Sequence, residues 1–453
     1  MTKKQKLSKL CVILALPCTA FANTNADLVG TNAEYSYKVL DHAENTNTKQ
    51  LYQLTSLKDG ILKNKLTLGG QVTALLNYQK ANEDSKFGWL MRHPTANNQI
   101  GETASEAVIH SANLNMTAKL NEDFTAYVEM LYNPEQNFAA NSSITGLPRN
   151  NVNVRRAYVL WGNLANSPWY GSLGKMDIPF GLNDTVSPFT NSTNWHSFAG
   201  LAYGAQLGYA NNGTHLRFMA IQGGAQFRNA NMPVDDTNVP SRLNNFALDA
   251  NYTIALSNSA NVLVGASYQH GSSYCQNYEP DQTGGAPAVP GATITAPSGV
   301  QHFNACDDKN PQAGVYATFT TPSLKLLAEF AQTLDEWPGT FNPSIPEFEA
   351  AKNKTFTVGG RFSAKNDIDY SFEFSRFKAG PSGSPWEKQD QFVLGASRFV
   401  SSNINLFAEL IHVKGWVPLN FLSGGNPGGT IGESWASQDS TTDIITFGIQ
   451  AAF

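Results

Sequence analysis

The pattern that most limits the fold of this 453-residue chain is an alternation of apolar and polar residues that recurs from Leu66 to the C-terminus. A period of two is the period of a β-strand with one face in an apolar medium. In the last segment, apolar side chains stand at 445, 447, 449, 451 and 453, and the chain ends on the aromatic Phe453. Similar segments lie at 66–78, 126–132, 201–209, 246–254, 313–319, 324–330, 368–374 and 404–410. Residues 64–453 are therefore predicted to be all β.

The connections between these segments alternate between short and long. Short turns are predicted near 120–124, 162–168, 210–213, 257–260, 321–323, 364–367 and 400–403, and long polar loops near 80–104, 133–151, 181–200, 223–244, 270–311, 333–354, 378–390 and 413–440. Seven turns and eight loops join sixteen strands, and both ends then lie on the short-turn side. That organisation is typical of an antiparallel transmembrane β-barrel in the bacterial outer membrane, with short periplasmic turns and long extracellular loops. A secreted sandwich or propeller does not predict it.

The first 22 residues carry the three regions of a secretory signal. A basic start is followed by an apolar run from Leu10 to Leu16 and a small-residue site at Ala20-Phe21-Ala22. We expect cleavage after Ala22. The apolar run is too short to span a bilayer, which requires about 20 residues.

Residues 23–63 differ from the rest of the chain. Leu51, Leu54, Leu57 and Ile61 are spaced three, three and four apart, which predicts a short helix that Gly60 interrupts. About 40 residues cannot bury a core of their own. We therefore expect a periplasmic N-terminal helical arm rather than a docked plug domain.

Composition agrees with a barrel. Charged residues make up 15% of the chain, whereas about 25% is usual in soluble proteins. The net charge of −5 argues against a nucleic-acid partner. The expected partners are outer-membrane lipid and lipopolysaccharide, the outer-membrane assembly machinery and a small polar solute; a homotrimer is left open.

Single charges between outward apolar residues are predicted to face the lumen. A charge facing lipid at mid-membrane would cost about 2–4 kcal/mol for Arg or Lys, so these positions imply a wet, charged interior. Each charge either braces the wall in an ion pair or contacts the permeating solute, and both alternatives stay open. The candidates are Glu129, Arg217, Asp249, Glu329, Arg361, Asp369, Glu373 and Glu409.

Arg155 and Arg156 are adjacent. In a regular strand they point to opposite faces, so we expect one in the pore and the other near an interface, where its long side chain can snorkel.

The segment 173–200 is the strongest candidate for setting selectivity. Lys175 and Asp177 are predicted to share one face of a strand that Pro179 ends, since proline lacks an N–H donor. Three further constriction candidates follow in the loop, Asp184, Trp195 and His196. These side chains either contact a polar ligand or belong to a loop packed on the inner wall by Phe189, Trp195 and Phe198.

The run Leu173-Gly174-Lys175-Met176-Asp177-Ile178-Pro179-Phe180-Gly181 precedes an Asn/Ser/Thr-rich loop and then Tyr203-Gly204-Ala205-Gln206-Leu207-Gly208-Tyr209. This arrangement resembles the outer-membrane siderophore porins named for LbtU, the legiobactin receptor. The Gly-Lys-x-x-x-Pro-Phe-Gly part also recurs in phosphate- and carbohydrate-selective porins. In sixteen-stranded porins the third long loop typically folds inward, a fold-level analogy.

The resemblance implies uptake of a ferric siderophore through a barrel without a plug domain. Two alternatives remain. One is a general or anion- or carbohydrate-selective porin with the same barrel. The other is a surface adhesin with a closed lumen, in which the loops near 270–311 and 413–440 bind.

No catalytic or metal-binding pattern is evident, since the eight histidines are scattered and no nucleophile elbow or phosphate-binding loop occurs. We therefore predict neither an enzyme nor a bound cofactor. After signal cleavage two cysteines remain, Cys275 and Cys306. Both lie in one long loop of an exported chain, which favours a disulfide over two free thiols.

Overall fold

Sixteen antiparallel strands form one sheet in a computed structural model of the chain. It describes residues 28–82, 102–132, 152–222, 226–227, 243–272, 274, 294–295, 301–302, 309–336, 351–384, 387–415 and 438–453. The strands are β1 Leu66–Ala81, β2 Thr103–Lys119, β3 Phe124–Tyr132, β4 Val152–Gly162, β5 Trp169–Asp177, β6 Gly200–Asn211, β7 Thr214–Gln222, β8 Leu243–Ser257, β9 Ala260–Gln269, β10 Gln312–Thr320, β11 Leu324–Thr333, β12 Lys354–Ser363, β13 Asp369–Lys378, β14 Lys388–Ser401, β15 Ile404–Gly415 and β16 Thr441–Ala452. Three two-residue strands lie in long loops, Gln226–Phe227, Ile294–Thr295 and Gln301–His302.

The last strand closes the barrel on the first. Each strand pairs with its neighbours in the chain, and β16 pairs with β1 from Gln71 opposite Ala452 to Ala81 opposite Thr442. Phe453 extends the closure, because its N–H donates to the Gly70 carbonyl at 2.9 Å and its own carbonyl accepts from the Gly70 N–H at 3.1 Å. The predicted count of sixteen strands and the predicted closing role of the C-terminal strand are confirmed.

The two-residue turn between β6 and β7 shows how local sequence sets the strand register. Asn212 and Gly213 join β6 to β7, and both have positive φ angles, 48° and 82°. Asn-Gly is the preferred pair for a two-residue turn of this kind, whose twist matches that of the flanking strands. Asn211 therefore pairs directly with Thr214.

The two faces of the strands differ as the period of two predicts. Outward side chains are exposed and apolar, for example Leu173 at 67%, Leu410 at 53% and Phe447 at 55%. Their inward neighbours, such as Glu409 and Thr446, are polar and buried. Only a closed barrel lets strands cross lipid without unpaired backbone groups, and the bacterial outer membrane is where such barrels occur. The predicted fold class and location are confirmed.

Three short helices accompany the strands among the described residues, α1 Ala33–Leu40, α2 Lys49–Lys58 and α3 Thr193–Phe198. In that part of the chain, no helix combines the length and apolar character that crossing a membrane would require. The predicted N-terminal helix is present as α2, and it ends at Lys58, just before Gly60 with its positive φ of 69°.

Residues 28–62, which we call the hairpin, lie inside the barrel. The hairpin starts with a short strand, Val29–Thr31, that pairs in parallel with Leu66–Leu68 at the periplasmic end of β1. Near the same end, the Tyr35 hydroxyl bonds to Thr117 Oγ1 of β2, opposite Thr67, at 2.9 Å. The Tyr37 hydroxyl donates to Gln450 of β16 at 3.0 Å.

The expectation of an undocked arm, and of a barrel without a plug, is therefore wrong. A segment of about 40 residues need not bury a core of its own when a surrounding wall supplies one. Tyr35 and Leu54 are buried in one cluster with Tyr127, Tyr158 and Tyr170 of the inner wall. The barrel supplies the core that the hairpin lacks.

The predicted signal peptide at 1–22 lies outside the described residues. So do Cys275 and Cys306, and the disulfide between them stays a prediction.

Candidate functional site

The chain turns into the lumen where β5 ends. Residues 178–199, which we call the constriction loop, are almost entirely buried. Gly181 and Asn183 both adopt positive φ angles, 68° and 57°, a region that glycine and asparagine enter most readily. The inward fold expected for the third long loop is observed.

Three wall carboxylates hold the constriction loop by its backbone. Glu329, Glu373 and Glu409 lie on alternate strands, β11, β13 and β15. Glu329 accepts hydrogen bonds from the N–H groups of Leu182 at 2.7 Å and Asn183 at 3.0 Å. Glu373 accepts from the Thr185 hydroxyl at 2.6 Å and the Val186 N–H at 2.9 Å. Glu409 accepts from the N–H groups of Phe189 at 2.8 Å and Thr190 at 3.0 Å, and from the Thr190 hydroxyl at 2.6 Å. These charged-group hydrogen bonds fix successive turns of the loop. The three acids thus position the constriction.

The aromatic side chains of the constriction loop pack on the wall. The Phe189 ring stacks on Phe407 of β15 at 5.2 Å. Phe198 stacks on Phe180 within the loop at 6.2 Å, and both are buried in one cluster with Met219 and Ile221 of β7. Trp195 and His196 are buried in α3, with their ring centroids 4.8 Å apart. Of the two alternatives for this loop, packing on the inner wall describes these side chains.

Two further groups of predicted charges are ion pairs within the wall. Arg156 of β4 donates to Glu129 of β3 at 2.8 Å and, through two nitrogens, to Asp177 at 2.6 Å each. Arg217 of β7 donates to Asp249 of β8 at 2.8 Å. These buried pairs join neighbouring strands. Removal of one partner would destabilise the protein, because it would leave an uncompensated buried charge.

The two adjacent arginines do not alternate between faces. The register between β3 and β4 shifts between Glu129 and Met130, so that Glu129 lies opposite Arg156 and Met130 opposite Val154. Val154 and Val159 are both exposed on the outer surface. In a regular strand, outward residues are an even number of positions apart, but Val154 and Val159 are five apart. One extra residue, a β-bulge, must therefore lie between them, and Arg155 is the residue that has no partner in β3. Both arginines therefore lie on the lumen side, and the expectation that they point to opposite faces is wrong.

Lys175 lies on the outer face, so its prediction as a pore-lining residue is wrong. It follows the outward Leu173 by two positions and lies opposite Tyr203 of β6. Its ammonium donates to the Val154 carbonyl at 2.6 Å and lies 6.0 Å from the Tyr203 ring. Asp177 does reach Arg156 on the lumen side. β5 no longer pairs with β4 beyond Lys175, although Asp177 still pairs with Leu201 of β6.

The tip of the hairpin, residues 41–48, contacts the constriction loop. The Thr46 N–H donates to Asp184 at 3.0 Å, and the Thr185 N–H donates to the Ala43 carbonyl at 2.9 Å. The Asn47 amide donates to the Phe180 carbonyl at 2.5 Å. Burial raises the pKa of the Asp184 carboxyl. Asp184 therefore joins the loop to the hairpin.

Glu44, at the same tip, bonds to two wall cations. Its carboxylate lies 3.1 Å from the Lys325 ammonium of β11 and also accepts from the Arg361 guanidinium of β12. Burial acts to raise the pKa of the Glu44 carboxyl, but these two cations outweigh it and hold the pKa at about 2. The carboxylate is therefore charged at neutral pH.

Sequence reasoning identified Arg361 but missed Glu44 and Lys325. Lys325 lies between Leu324 and Leu326 in a period-two segment, so the alternation itself marked it as an inward charge. Glu44 lies in a segment with no period, and no local signal pointed to it. Asp369, the remaining predicted lumen charge, starts β13 and acts on Arg361 electrostatically.

A cavity of about 610 Å³ lies between the hairpin and the wall on the periplasmic side. Its lining includes Leu51 and Lys58 of α2, Leu182 of the constriction loop, and His215 and Asn251 of the wall. Pockets for small molecules occupy about 300–1,000 Å³. Within the described ranges, no group of three or more His, Cys, Asp or Glu side chains could hold a metal ion.

The fold is similar to that of solved porins. The anion-selective porin from Comamonas acidovorans has a TM-score of 0.50 and 14% identity over 86% of this chain and 99% of its own. OmpF of Salmonella typhi, solved with daunomycin, has a TM-score of 0.50 and 12% identity over 86% of this chain and 97% of its own. No protein-family model and no curated protein sequence matches the chain. The similarity therefore concerns the architecture of the barrel.

Proposed function

We propose that this chain is an outer-membrane channel for small polar solutes. The observation that supports it most is the contrast between an apolar outer face and an inner face lined with charged and polar side chains. Such a lining is typical of outer-membrane barrels whose interior admits water and polar solutes. The constriction loop and the hairpin then restrict what passes.

Single-channel recording of the purified protein in planar bilayers tests this proposal. We expect discrete conductance steps in potassium chloride. Absence of conductance from folded, inserted protein would contradict the proposal and favour the closed adhesin. The reversal potential in a salt gradient would then separate an anion-selective porin from an unselective one.

Within this class, we propose a ferric siderophore as the solute. The resemblance of residues 173–181 and 203–209 to siderophore porins supports this choice, and these residues form the end of β5, the entry to the constriction loop and β6. A periplasmic cavity of about 610 Å³ also suits a ligand of that size class.

Uptake of iron-55 bound to a siderophore by intact cells tests this finer proposal. A strain that lacks the gene should accumulate less iron than the parent, and expression of the wild-type chain should restore uptake. Equal uptake by both strains, together with a conductance that ferric siderophore does not alter, would contradict it. The channel proposal would then stand with a different solute.

A further inference from the structure

Two cations stand directly opposite each other on the inner wall. Lys325 of β11 and Arg361 of β12 are cross-strand partners in the antiparallel ladder. Like charges in this position repel and destabilise the sheet. The arrangement therefore requires an anion between the two side chains.

The wall itself supplies no such anion among the described residues. Arg156 and Arg217 each form an ion pair with a wall carboxylate, whereas the ion pairs of Lys325 and Arg361 are both with Glu44 of the hairpin. Two wall carboxyl groups act on these cations electrostatically, Asp369 on Arg361 and Glu373 on Lys325, but neither forms an ion pair with them. The two cations thus form a site that a carboxylate from elsewhere fills.

The site remains open to solvent. The side chains of Lys325, Arg361 and Glu44 are 15%, 27% and 31% exposed, whereas Arg217 and Asp249 are 3% and 0% exposed. A solute inside the lumen can therefore reach the two cations.

We propose that Lys325 and Arg361 bind the carboxylate group of an anionic solute, and that Glu44 is a tethered occupant which the solute displaces. The inference rests on the proposed channel function and names a solute class for it. Glu44 belongs to the hairpin tip that contacts the constriction loop through Ala43, Thr46 and Asn47. Displacement of Glu44 therefore loosens the contact between hairpin and loop, and an anionic solute widens its own path.

Calorimetric titration of citrate into the purified full-length protein tests the site. Citrate carries carboxylates and serves as the probe. The Glu44→Gln variant removes the carboxylate that occupies the site. If Glu44 leaves the two cations free about a tenth of the time in wild type, the variant should bind citrate about tenfold more tightly. Glu34→Gln is the matched control, because Glu34 lies on the same hairpin but pairs with Lys38 on an exposed surface. Its affinity should equal that of wild type.

A double variant, Glu44→Gln with Arg361→Gln, should lose the gain in citrate affinity. Circular dichroism and unfolding curves establish that each variant is folded before titration. Equal citrate affinity in wild type and Glu44→Gln, or an unchanged gain in the double variant, would overturn the proposal.

Bilayer recordings of the same variants separate this inference from the channel proposal. Glu44→Gln should show a larger open fraction than wild type, and citrate should raise the open fraction of wild type only. If no variant conducts, the channel proposal fails while the titration still decides the site. If wild type conducts and citrate affinity does not depend on Glu44, the channel stands and the site is rejected.

Discussion

Gly181 is where the constriction loop departs from the wall, and two constraints meet at this residue. Its φ angle is 68°, a conformation that other residues enter with strain. A Cβ atom at this position would also overlap the Glu329 carboxylate that holds Leu182.

Gly181→Ala should therefore destabilise the protein through both effects. Backbone strain in the left-handed region costs about 1–2 kcal/mol. Displacement of Glu329 from the loop adds about 1–3 kcal/mol for lost hydrogen bonds. Gly60→Ala is the matched control, since Gly60 has a φ of 69° and nothing within 4 Å of the added carbon. Denaturant unfolding in detergent measures both variants. Equal destabilisation of the two would show that contact with Glu329 does not matter.

At the scale of elements, the constriction loop depends on the wall for its position. Apart from the six residues of α3 it has no regular secondary structure. Its backbone N–H groups are satisfied largely by side chains of other strands, so its shape is imposed from outside.

Removal of one wall carboxylate should release one part of the loop. Glu409→Ala deletes three hydrogen bonds to Phe189 and Thr190. We expect a loss of about 1–3 kcal/mol in unfolding free energy and a higher single-channel conductance, because this part of the loop can then retract. Glu122→Ala, in an exposed periplasmic turn, is the control. A Glu409→Ala channel with wild-type conductance and stability would refute the anchoring role.

The hairpin shows the same dependence in a second element. Its two helices are short, with eight and ten residues, and isolated helices of that length are marginal in water. Tyr35, Tyr37 and Leu54 are buried only because strands of the barrel surround them. Whether such a segment docks depends on the surface offered by the wall.

At the scale of the whole molecule, the outer face must match the depth of the membrane. Phe447 lies at the middle of β16, and Leu256 lies near the periplasmic end of β8. Both side chains are exposed on the outer surface.

Substitution of either residue by lysine should lower the free energy of unfolding by an amount that depends on the depth of the position in the membrane. Phe447→Lys should cost about 2–4 kcal/mol, and Leu256→Lys about 0–1 kcal/mol, because a charge near the interface keeps its water. Reversible unfolding of each variant from lipid vesicles measures both changes in the free energy of unfolding. Equal costs at the two depths would mean that the membrane does not span this face as described.

The sequence by itself determined the barrel, its strand count, the alternation of short turns and long loops, and the side of each strand that faces lipid. All of these follow from a period of two and from turn residues, which are local properties that each strand carries independently. Local reasoning failed at the bulge that turns both Arg155 and Arg156 inward. It also failed at Lys175, which lies on the outer face with Leu173 whereas Asp177 reaches Arg156 in the lumen.

Only the tertiary structure decided which inward residues meet across the lumen. Glu44 and Lys325 are 281 positions apart, and Glu409 binds a loop 219 positions away, so no local pattern couples them. Their pairing depends on the curvature of the closed sheet, which brings distant segments to one interior. For the same reason the hairpin docks in the lumen: the apolar and polar surface that it needs exists only once the sixteen strands have closed.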